Sequence, residues 1–80
     1  MIKVAIPQLG EDIEKATITY WFFKEGQRVK EGEDLVELTT DKAVFNLPSP
    51  TTGILSQILF LEGQTANVGE VIALIEEENQ

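Results

Sequence analysis

The stretch Leu38-Thr39-Thr40-Asp41-Lys42-Ala43-Val44-Phe45 decides the fold, because it reverses the chain between two segments rich in strand-forming residues. If Asp41 and Lys42 form a two-residue loop, one antiparallel register places the apolar positions on one face and the polar positions on the other. The pairs predicted by this register are Val36–Leu47, Glu37–Asn46, Leu38–Phe45, Thr39–Val44 and Thr40–Ala43. Lys42 is therefore expected at the exposed tip of a β-hairpin.

The predicted turn suits its residues less well than the register does. Two-residue hairpins favour primed turns, in which both central residues have positive φ, and lysine has no special tolerance for that conformation. Folding alone would favour glycine at position 42. We therefore treat the Lys42 side chain as a candidate functional group, with an idle, solvated turn lysine as the alternative interpretation.

Composition restricts the possible functions of this chain. Its 80 residues, 42% of them hydrophobic, predict one small domain of modest stability. The net charge of −8 opposes binding to nucleic acid or to an anionic membrane surface. Because cysteine and histidine are absent from the sequence, it lacks disulfides, thiolate metal sites and the commonest general base. We expect neither a metal site nor catalytic residues.

The N-terminal residues lack the pattern of a secretory signal, and no apolar run approaches the length of a membrane span. A cytoplasmic location is therefore expected. Alternating and β-branched patterns predict strands at residues 2–6, 17–24, 35–39, 43–47, 54–60 and 71–75, with Trp21 in the core. The acidic tail has lost this pattern, so residues 1–76 are predicted to form the domain and residues 77–80 to begin a linker.

An internal repeat is the strongest sign of how the chain is organised. Two turn motifs recur 37 residues further along. These are Glu25-Gly26-Gln27 and Gly32-Glu33, which recur as Glu62-Gly63-Gln64 and Gly69-Glu70. With a shift of 41, which allows for a longer first loop, Ile6-Pro7 lies on Leu47-Pro48. Two related halves that each bury one face predict a flattened β-barrel or sandwich with an approximate two-fold axis.

The repeat also predicts where Lys42 lies relative to the chain ends. At the shift of 37, Lys42 corresponds to Asn79, close to the end of the sequence. Lys42 and the chain ends should therefore project from opposite ends of the domain. One exposed amine at one end and an attachment at the other would suit a carrier.

The motifs of residues 2–75 resemble those of the lipoyl domain of the acyltransferase component of 2-oxo acid dehydrogenase complexes. The resemblance is carried by five groups of residues: Ile6-Pro7-Gln8-Leu9-Gly10-Glu11, Trp21-Phe22-Phe23-Lys24-Glu25-Gly26, Thr40-Asp41-Lys42-Ala43, Leu47-Pro48-Ser49-Pro50 with Gly53, and Glu62-Gly63 with Val68-Gly69. It implies an all-β barrel-sandwich hybrid of two four-stranded antiparallel sheets with quasi-two-fold symmetry, and the lipoyl-lysine at a hairpin tip.

The same resemblance implies that lipoic acid is attached covalently to the ε-nitrogen of Lys42, as a flexible arm that ends in a dithiolane. The domain would be a non-catalytic carrier, monomeric when isolated. Its expected partners are a lipoate-attaching enzyme, a thiamine-dependent 2-oxo acid decarboxylase that reductively acylates the arm, the acyltransferase core that passes the acyl group to coenzyme A, and dihydrolipoamide dehydrogenase, which reoxidises the dithiol. Tethering would raise the local concentration of the intermediate at each active site.

The resemblance also assigns roles around the lysine. Asp41 and Ala43 are the immediate neighbours that the attaching enzyme would meet. In the family the loop over residues 8–15 lies beside the lysine, so Leu9, Glu11 and Asp12 are candidates for recognition by the decarboxylase. Plain solvation of these loop residues is the alternative.

Four further positions carry expectations from the same family pattern. Gly26 and Gly53 lie at family glycine positions, and we interpret them as requirements of backbone geometry. Thr39 stands where the family commonly has an acidic residue, which bears on the choice of attaching enzyme. Ala16 stands where the family commonly has glycine, so its φ is expected to be ordinary.

Four other functions fit the sequence less well. A biotinyl carrier domain of a biotin-dependent carboxylase typically flanks its lysine with methionines, whereas the methionine of this chain is Met1. The lipoylated carrier of glycine cleavage is usually longer. An enzyme using Lys42 as nucleophile and Asp41 as base would need a desolvated amine, and a hairpin tip is the opposite environment. An acidic adaptor would leave the turn and the motifs unexplained.

Overall fold

The computed structural model describes residues 1–78, which form eight β-strands. The strands are β1 (Ile2–Ala5), β2 (Lys15–Trp21), β3 (Arg28–Val29), β4 (Asp34–Thr39), β5 (Val44–Pro48), β6 (Gly53–Ile58), β7 (Thr65–Asn67) and β8 (Val71–Glu77). Within these residues the backbone forms no helix that could cross a membrane.

The strands form two four-stranded antiparallel sheets, in the orders β1-β8-β6-β3 and β5-β4-β2-β7. This confirms the predicted fold class. The β4–β5 pairing also has the predicted register, with Leu38 opposite Phe45 and Thr39 opposite Val44. Leu38 is buried and Phe45 half-buried, whereas Val44 is 60% exposed, so this hairpin has one inner and one outer face as predicted.

The inner faces of the two sheets meet in one core of aliphatic side chains and one indole. Its buried members are Val4, Ile6, Ala16, Ile18, Trp21, Val29, Leu35, Val36, Leu38, Leu55, Ala66, Ile72, Ala73 and Ile75. Each fully buried leucine or isoleucine contributes about 1.5–3 kcal/mol to stability through removal of its side chain from water. The indole Nε1–H of Trp21 donates to the carbonyl of Phe60 at 3.0 Å, which satisfies the polar atom of a buried ring and confirms the predicted core position.

The two halves of the chain exchange hydrogen bonds in reciprocal pairs. Gly26 N–H donates to the carbonyl of Leu55, and Gly63 N–H donates to the carbonyl of Ile18, both at 2.8 Å. Each donor and acceptor in the second bond lies 37 positions from its counterpart in the first. Both bonds join one half of the chain to the other, so the predicted repeat is an actual two-fold relation.

Carboxylates repeat this exchange. Glu25 Oε2 accepts from the backbone N–H of Ile58 at 2.8 Å, and Glu62 Oε2 accepts from the backbone N–H of Trp21 at 3.0 Å. Each half thus supplies the acceptor for a backbone donor at the last residue of a strand in the other half. These contacts are the physical reason for the glutamate and the glycine of the recurring Glu-Gly-Gln motif.

The offset predicted for the first strand is wrong by two residues. Ile6 N–H donates to the carbonyl of Glu70, and Ser49 N–H donates to the carbonyl of Glu33. Because Glu70 is the counterpart of Glu33, Ile6 corresponds to Ser49, at a shift of 43 in place of 41. The strand pairs agree, because Ile2 lies opposite Ile75 as Phe45 lies opposite Leu38. A two-residue shift leaves every side chain on the same face, so alternation could not distinguish the two offsets.

Three further details differ from the sequence predictions. Strands β3 and β7 have only two and three residues and were not predicted. Strands β2 and β6 end at Trp21 and Ile58, three and two residues before their predicted ends, because the chain turns there.

Strand β8 runs past the predicted domain boundary at residue 76. Glu77 pairs with Gly53, its carboxylate accepts from the Thr51 hydroxyl at 2.8 Å, and Glu78 N–H donates to the carbonyl of Thr52 at 3.0 Å. Backbone pairing does not require apolar side chains, so loss of the hydrophobic pattern did not mark the end of the strand. Residues 79 and 80 of the predicted linker lie outside the described part of the chain.

The strand pairings place Lys42 at one end of the domain and the first and last described residues, Met1 and Glu78, at the other. The first residues of β2 lie beside the end of β4, next to the lysine turn, and the first residues of β6 lie beside the end of β8. The last residues of β2 and β6 meet at the centre through the carboxylate exchange. Lys42 therefore lies on one side of that centre and Met1 and Glu78 on the other, along a molecule that is 39 Å long.

Candidate functional site

The turn at Asp41 and Lys42 is not strained. Within residues 1–78 only glycines have positive φ, so the expectation of a primed turn with a misfitting lysine is wrong. The turn is closed by Thr40 N–H, which donates to the carbonyl of Ala43 at 2.9 Å and confirms the predicted Thr40–Ala43 pair. A turn with ordinary φ has no requirement for glycine.

The side chain of Thr40 explains why this turn is stable without glycine. Its hydroxyl oxygen accepts from the backbone N–H of Ala43 at 3.0 Å and of Lys42 at 3.2 Å. The same hydroxyl donates to the carbonyl of Ala43 at 3.0 Å. The sequence analysis missed this role, although a threonine two residues before a turn position is the known signal for such side-chain turns.

Lys42 projects from this turn into solvent. Its side chain is 54% exposed, and its Nζ lies 3.4 Å from Oδ2 of Asp12, whose side chain is 82% exposed. An ion pair between two exposed side chains contributes only about 0–1 kcal/mol. Asp41 and Ala43, the predicted neighbours for an attaching enzyme, are also exposed.

The loop that connects β1 to β2 lies beside the lysine, as the family pattern implied. Ile13, buried in this loop, donates its N–H to the carbonyl of Gly10 at 3.2 Å, and Gln8 Nε2 also donates to that carbonyl. Of the three candidates for partner recognition, Asp12 is brought to Lys42 and Glu11 is exposed. The side chain of Leu9 is half-buried and packs against the core.

A groove of about 520 Å³ opens between this loop and the lysine turn. Its lining is mostly polar: residues 12–17 from the loop and β2, residues 39–41 from the turn, and Thr65 from β7. The hydroxyls of Thr17 and Thr65 are 3.0 Å apart, and the hydroxyl of Thr39 is hydrogen-bonded to that of Thr19. Thr39, the departure from the family pattern, therefore bridges two strands on the outer face of the sheet.

The groove lies where the pairing of strands β2 and β4 ends. Pairing of β2 with β4 stops at Thr17 and Thr39, whereas the equivalent pairing of β6 with β8 continues by one pair to Gly53 and Glu77. Ala16, the counterpart of Gly53, is buried and has the ordinary φ that was expected.

Glycine is required at the two predicted structural positions, 26 and 53, for different reasons. Gly26 has a φ of 92°, a left-handed conformation that glycine adopts without strain. Gly53 lacks a positive φ, and a Cβ there would lie 2.1 Å from the carbonyl oxygen of Glu76. The second glycine is thus required by close approach of a neighbouring strand, and our interpretation of it from backbone geometry alone is corrected.

The end of the domain opposite Lys42 carries a better-defined ion pair. Arg28 donates from Nε to Oε2 of Glu78 at 2.9 Å and from its terminal nitrogen to Oε1 at 3.0 Å. The hydrogen bond and the charge of Glu78 raise the pKa of Arg28 above its ordinary value. Elsewhere in residues 1–78 the acidic side chains do not converge in groups of three or more that could hold a metal ion.

Comparison with known proteins finds relatives of one kind. A model of the biotin/lipoyl family, described as biotin-requiring enzyme, matches residues 2–75. The dihydrolipoyllysine-residue succinyltransferase component of the 2-oxoglutarate dehydrogenase complex of Cupriavidus necator is 40% identical over 78 residues, or 98% of this chain. The dihydrolipoyllysine-residue acetyltransferase component of the pyruvate dehydrogenase complex of Acholeplasma laidlawii is 46% identical over 67 residues, or 84% of this chain.

The chain spans 19% and 12% of the lengths of these two relatives. The solution structure of the lipoyl domain of the 2-oxoglutarate dehydrogenase complex from Azotobacter vinelandii matches at a TM-score of 0.80 and 30% identity. That match covers 99% of this chain and 100% of the other. The likeness therefore extends over a whole domain of the relatives.

Proposed function

Because the chain belongs to the biotin/lipoyl-attachment family and is a lipoyl domain of the kind found in acyltransferase components of 2-oxo acid dehydrogenase complexes, we propose that Lys42 carries covalently attached lipoic acid. The observation that carries this assignment is the exposed Nζ of Lys42 at the tip of the β4–β5 turn. The relatives do not favour the biotin alternative, since their names specify lipoyl groups.

The residues around Lys42 fit such an attachment. The side chain leaves the domain at a turn whose flanking residues are exposed, and its amine contacts one exposed carboxylate, that of Asp12. Formation of an amide at Nζ removes the positive charge, so the ion pair with Asp12 is lost on modification. When bound, lipoic acid supplies a disulfide that can take up an acyl group and two electrons, a chemistry absent from a chain without cysteine.

The domain itself presents the modified lysine and performs none of the reactions. The hairpin register and the core hold strands β4 and β5 in place, while Met1 and Glu78 lie at the far end of the domain. We propose that the tethered lysine moves between a thiamine-dependent 2-oxo acid decarboxylase, an acyltransferase core and dihydrolipoamide dehydrogenase. Confinement at high local concentration is the physical contribution of the carrier.

The attachment is tested by intact mass after co-expression with a lipoate-attaching enzyme. We expect one lipoyl increment, which Lys42→Arg abolishes and the control Lys24→Arg retains, because Lys24 is an exposed lysine outside the hairpin. A biotinyl increment, or a lipoyl group on another lysine, would contradict the assignment.

The role of the loop beside the lysine needs its own experiment. We propose that Glu11 and Asp12 contribute to recognition by the decarboxylase, since both are exposed and Asp12 lies beside Lys42. Reversal of both charges to lysine should slow reductive acylation without slowing lipoylation. The matched control is Glu31→Lys with Glu76→Lys, which changes the net charge equally away from the lysine turn. Unchanged acylation kinetics in the loop variant would remove the loop from the recognition surface.

A further inference from the structure

We propose that the Thr40 hydroxyl is a positioning element for the modification of Lys42. It holds the Asp41–Lys42 turn in the conformation in which an attaching enzyme receives the amine. The inference rests on the proposed function, because it concerns how that same lysine is presented. Thr40 touches neither the acyl donor nor the reacting nitrogen, so it acts through the backbone of Lys42.

The hydrogen bonds of Thr40 concentrate on the residue that reacts. The hydroxyl oxygen accepts from the N–H of Lys42 at 3.2 Å and of Ala43 at 3.0 Å, so both peptide bonds that flank the Cα of Lys42 are tied to one side chain. The hydroxyl hydrogen is directed to the carbonyl of Ala43 at 3.0 Å. One donor and two acceptor positions are the full hydrogen-bonding capacity of a hydroxyl, and all of them are used within the turn.

The turn needs this support because of its backbone conformation. Turns with ordinary φ twist less favourably than primed turns between two paired strands, and this turn contains no glycine that could adopt the primed form. Next to it the ladder between β2 and β4 has already opened, so the turn lacks strand pairing on that side. Without the hydroxyl, the flanking N–H groups would turn to water and the turn would populate other conformations.

The second contact to Lys42 cannot take over this role. Asp12 reaches the ammonium at 3.4 Å with a largely exposed carboxylate, and this contact must be given up before the amine can react. The hydrogen bonds of Thr40 involve only backbone groups of Lys42 and Ala43. They persist when Nζ becomes an amide, so Thr40 also sets the direction in which the modified side chain leaves the domain.

The reaction itself shows why position matters. Lys42 first loses one proton from its ammonium, and the nitrogen lone pair then forms a bond to the carboxyl carbon of an activated lipoyl donor, such as a mixed anhydride with a phosphate group. The bond from that carbon to the leaving group breaks, the leaving group departs with the electron pair, and the nitrogen loses a second proton. A nucleophile that must approach one carbon along one direction gains most from a fixed starting point.

The test compares three purified, unmodified variants with the wild-type domain. Thr40→Val removes the hydroxyl at nearly constant volume, and Thr40→Ser retains it. Thr52→Val is the matched control, because the Thr52 hydroxyl also accepts from a backbone N–H, that of Glu31 at 3.0 Å, at the end opposite Lys42. Lipoylation rates are measured by intact mass at several domain concentrations, together with backbone amide exchange by NMR.

We expect kcat/KM for lipoylation of Thr40→Val to fall about tenfold, mainly through a higher KM, because only part of the population presents the competent turn. Thr40→Ser and Thr52→Val should stay within about twofold of wild type. The Lys42 and Ala43 amides should exchange faster in Thr40→Val alone, a readout that does not depend on any enzyme.

Three results would overturn the role of Thr40. They are a Thr40→Val variant lipoylated at the wild-type rate, a Thr40→Ser variant lipoylated as slowly as Thr40→Val, and a Thr52→Val control whose lipoylation rate falls as much as that of Thr40→Val. Wild-type domain that is never lipoylated at Lys42 would instead refute the proposed function, and the amide exchange would then still report whether the hydroxyl holds the turn.

Discussion

The lysine end of the domain and the end that holds Met1 and Glu78 are two versions of one structure. At the lysine end the first residues of β2 pair with the last residues of β4, and at the other end the first residues of β6 pair with the last residues of β8. The two pairs of strands correspond through the two-fold relation. At the Glu78 end the ladder closes fully, and Arg28 makes two hydrogen bonds to a carboxylate. At the lysine end the ladder opens one pair earlier, and the side-chain amine of Lys42 contacts one carboxylate oxygen of Asp12 at 3.4 Å.

The difference shows how a symmetric framework acquires one functional end. Positions that keep their identity through the repeat, such as Glu25 and Glu62, form the contacts that join the halves. Two of the positions that differ lie beside the lysine, where Ala16 stands in the place of Gly53 and Thr40 in the place of Glu77. Closing the ladder stabilises the fold, whereas opening it exposes a turn that a partner can reach.

The largest effect is expected where the closed ladder leaves no space. Gly53→Ala places a Cβ 2.1 Å from the carbonyl oxygen of Glu76, which is backbone and cannot rotate away, so we expect a loss of about 3 kcal/mol or more in the free energy of unfolding. At the open end, Ala16→Gly should cost only about 1 kcal/mol, from the added chain entropy. Urea denaturation measures both, and similar losses at the two positions would contradict the difference in ladder closure.

A second pair of variants tests whether the two halves are equivalent at their turns. Gly26 and Gly63 have φ of 92° and 93°, and a Cβ at either would meet open space. Replacement by alanine should therefore cost about 1.5 kcal/mol at each, from the left-handed conformation alone. Thermal or urea unfolding of the two variants checks this, and clearly unequal values would show that the two-fold relation does not extend to the energetics of these turns.

The exchanged carboxylates should differ slightly between the halves. Glu62 accepts from the partly buried N–H of Trp21, whereas Glu25 accepts from the more exposed N–H of Ile58. We expect Glu62→Ala to cost about 1.5 kcal/mol and Glu25→Ala about 0.5–1 kcal/mol, since an unpaired donor is more costly when buried. Glu62→Gln, which keeps an oxygen acceptor, is the control for urea unfolding. A greater loss for Glu25→Ala than for Glu62→Ala would reverse this interpretation.

The smallest effect concerns the ion pair at the lysine end. Asp12→Asn should lower the free energy of unfolding of the unmodified domain by at most about 0.5 kcal/mol, and high salt should reduce that difference. In the lipoylated domain the same substitution should have no effect on stability, because the amide carries no charge. Unfolding of both forms at low and high salt checks this, and an equal loss in both forms would show that Asp12 acts independently of the Lys42 charge.

The sequence was sufficient for the features that depend on alternation and on recurring motifs. The register around Lys42 followed from the apolar period, because any one-residue slip would bury Glu37 and expose Leu38. The core position of Trp21 followed from its place in a strand-forming segment. The repeat was visible because Glu25 and Glu62 each supply the same cross-half bond.

Other features depend on tertiary contacts that leave no local pattern. Strand β3 has two residues, too few to show any period, and exists because Arg28 lies opposite Ile54. The end of β8 at Glu77 is set by its pairing with Gly53, and the charged side chain gave the opposite signal. At the site, the turn was judged from backbone preference alone, and the bonds of the Thr40 hydroxyl that stabilise it were missed.

The pairing of Ile2 with Ile75 has a further consequence, because it repeats the pairing of Leu38 with Phe45. The backbone is therefore close to a ring that is interrupted where its counterpart is bridged by the Asp41–Lys42 turn. A short peptide that joined Glu78 to Met1 would complete a second hairpin, and a domain cyclised in this way should keep the same topology. Circular permutants of this ring, opened in any loop away from Lys42, would preserve the modification site while moving the point of tethering around the domain.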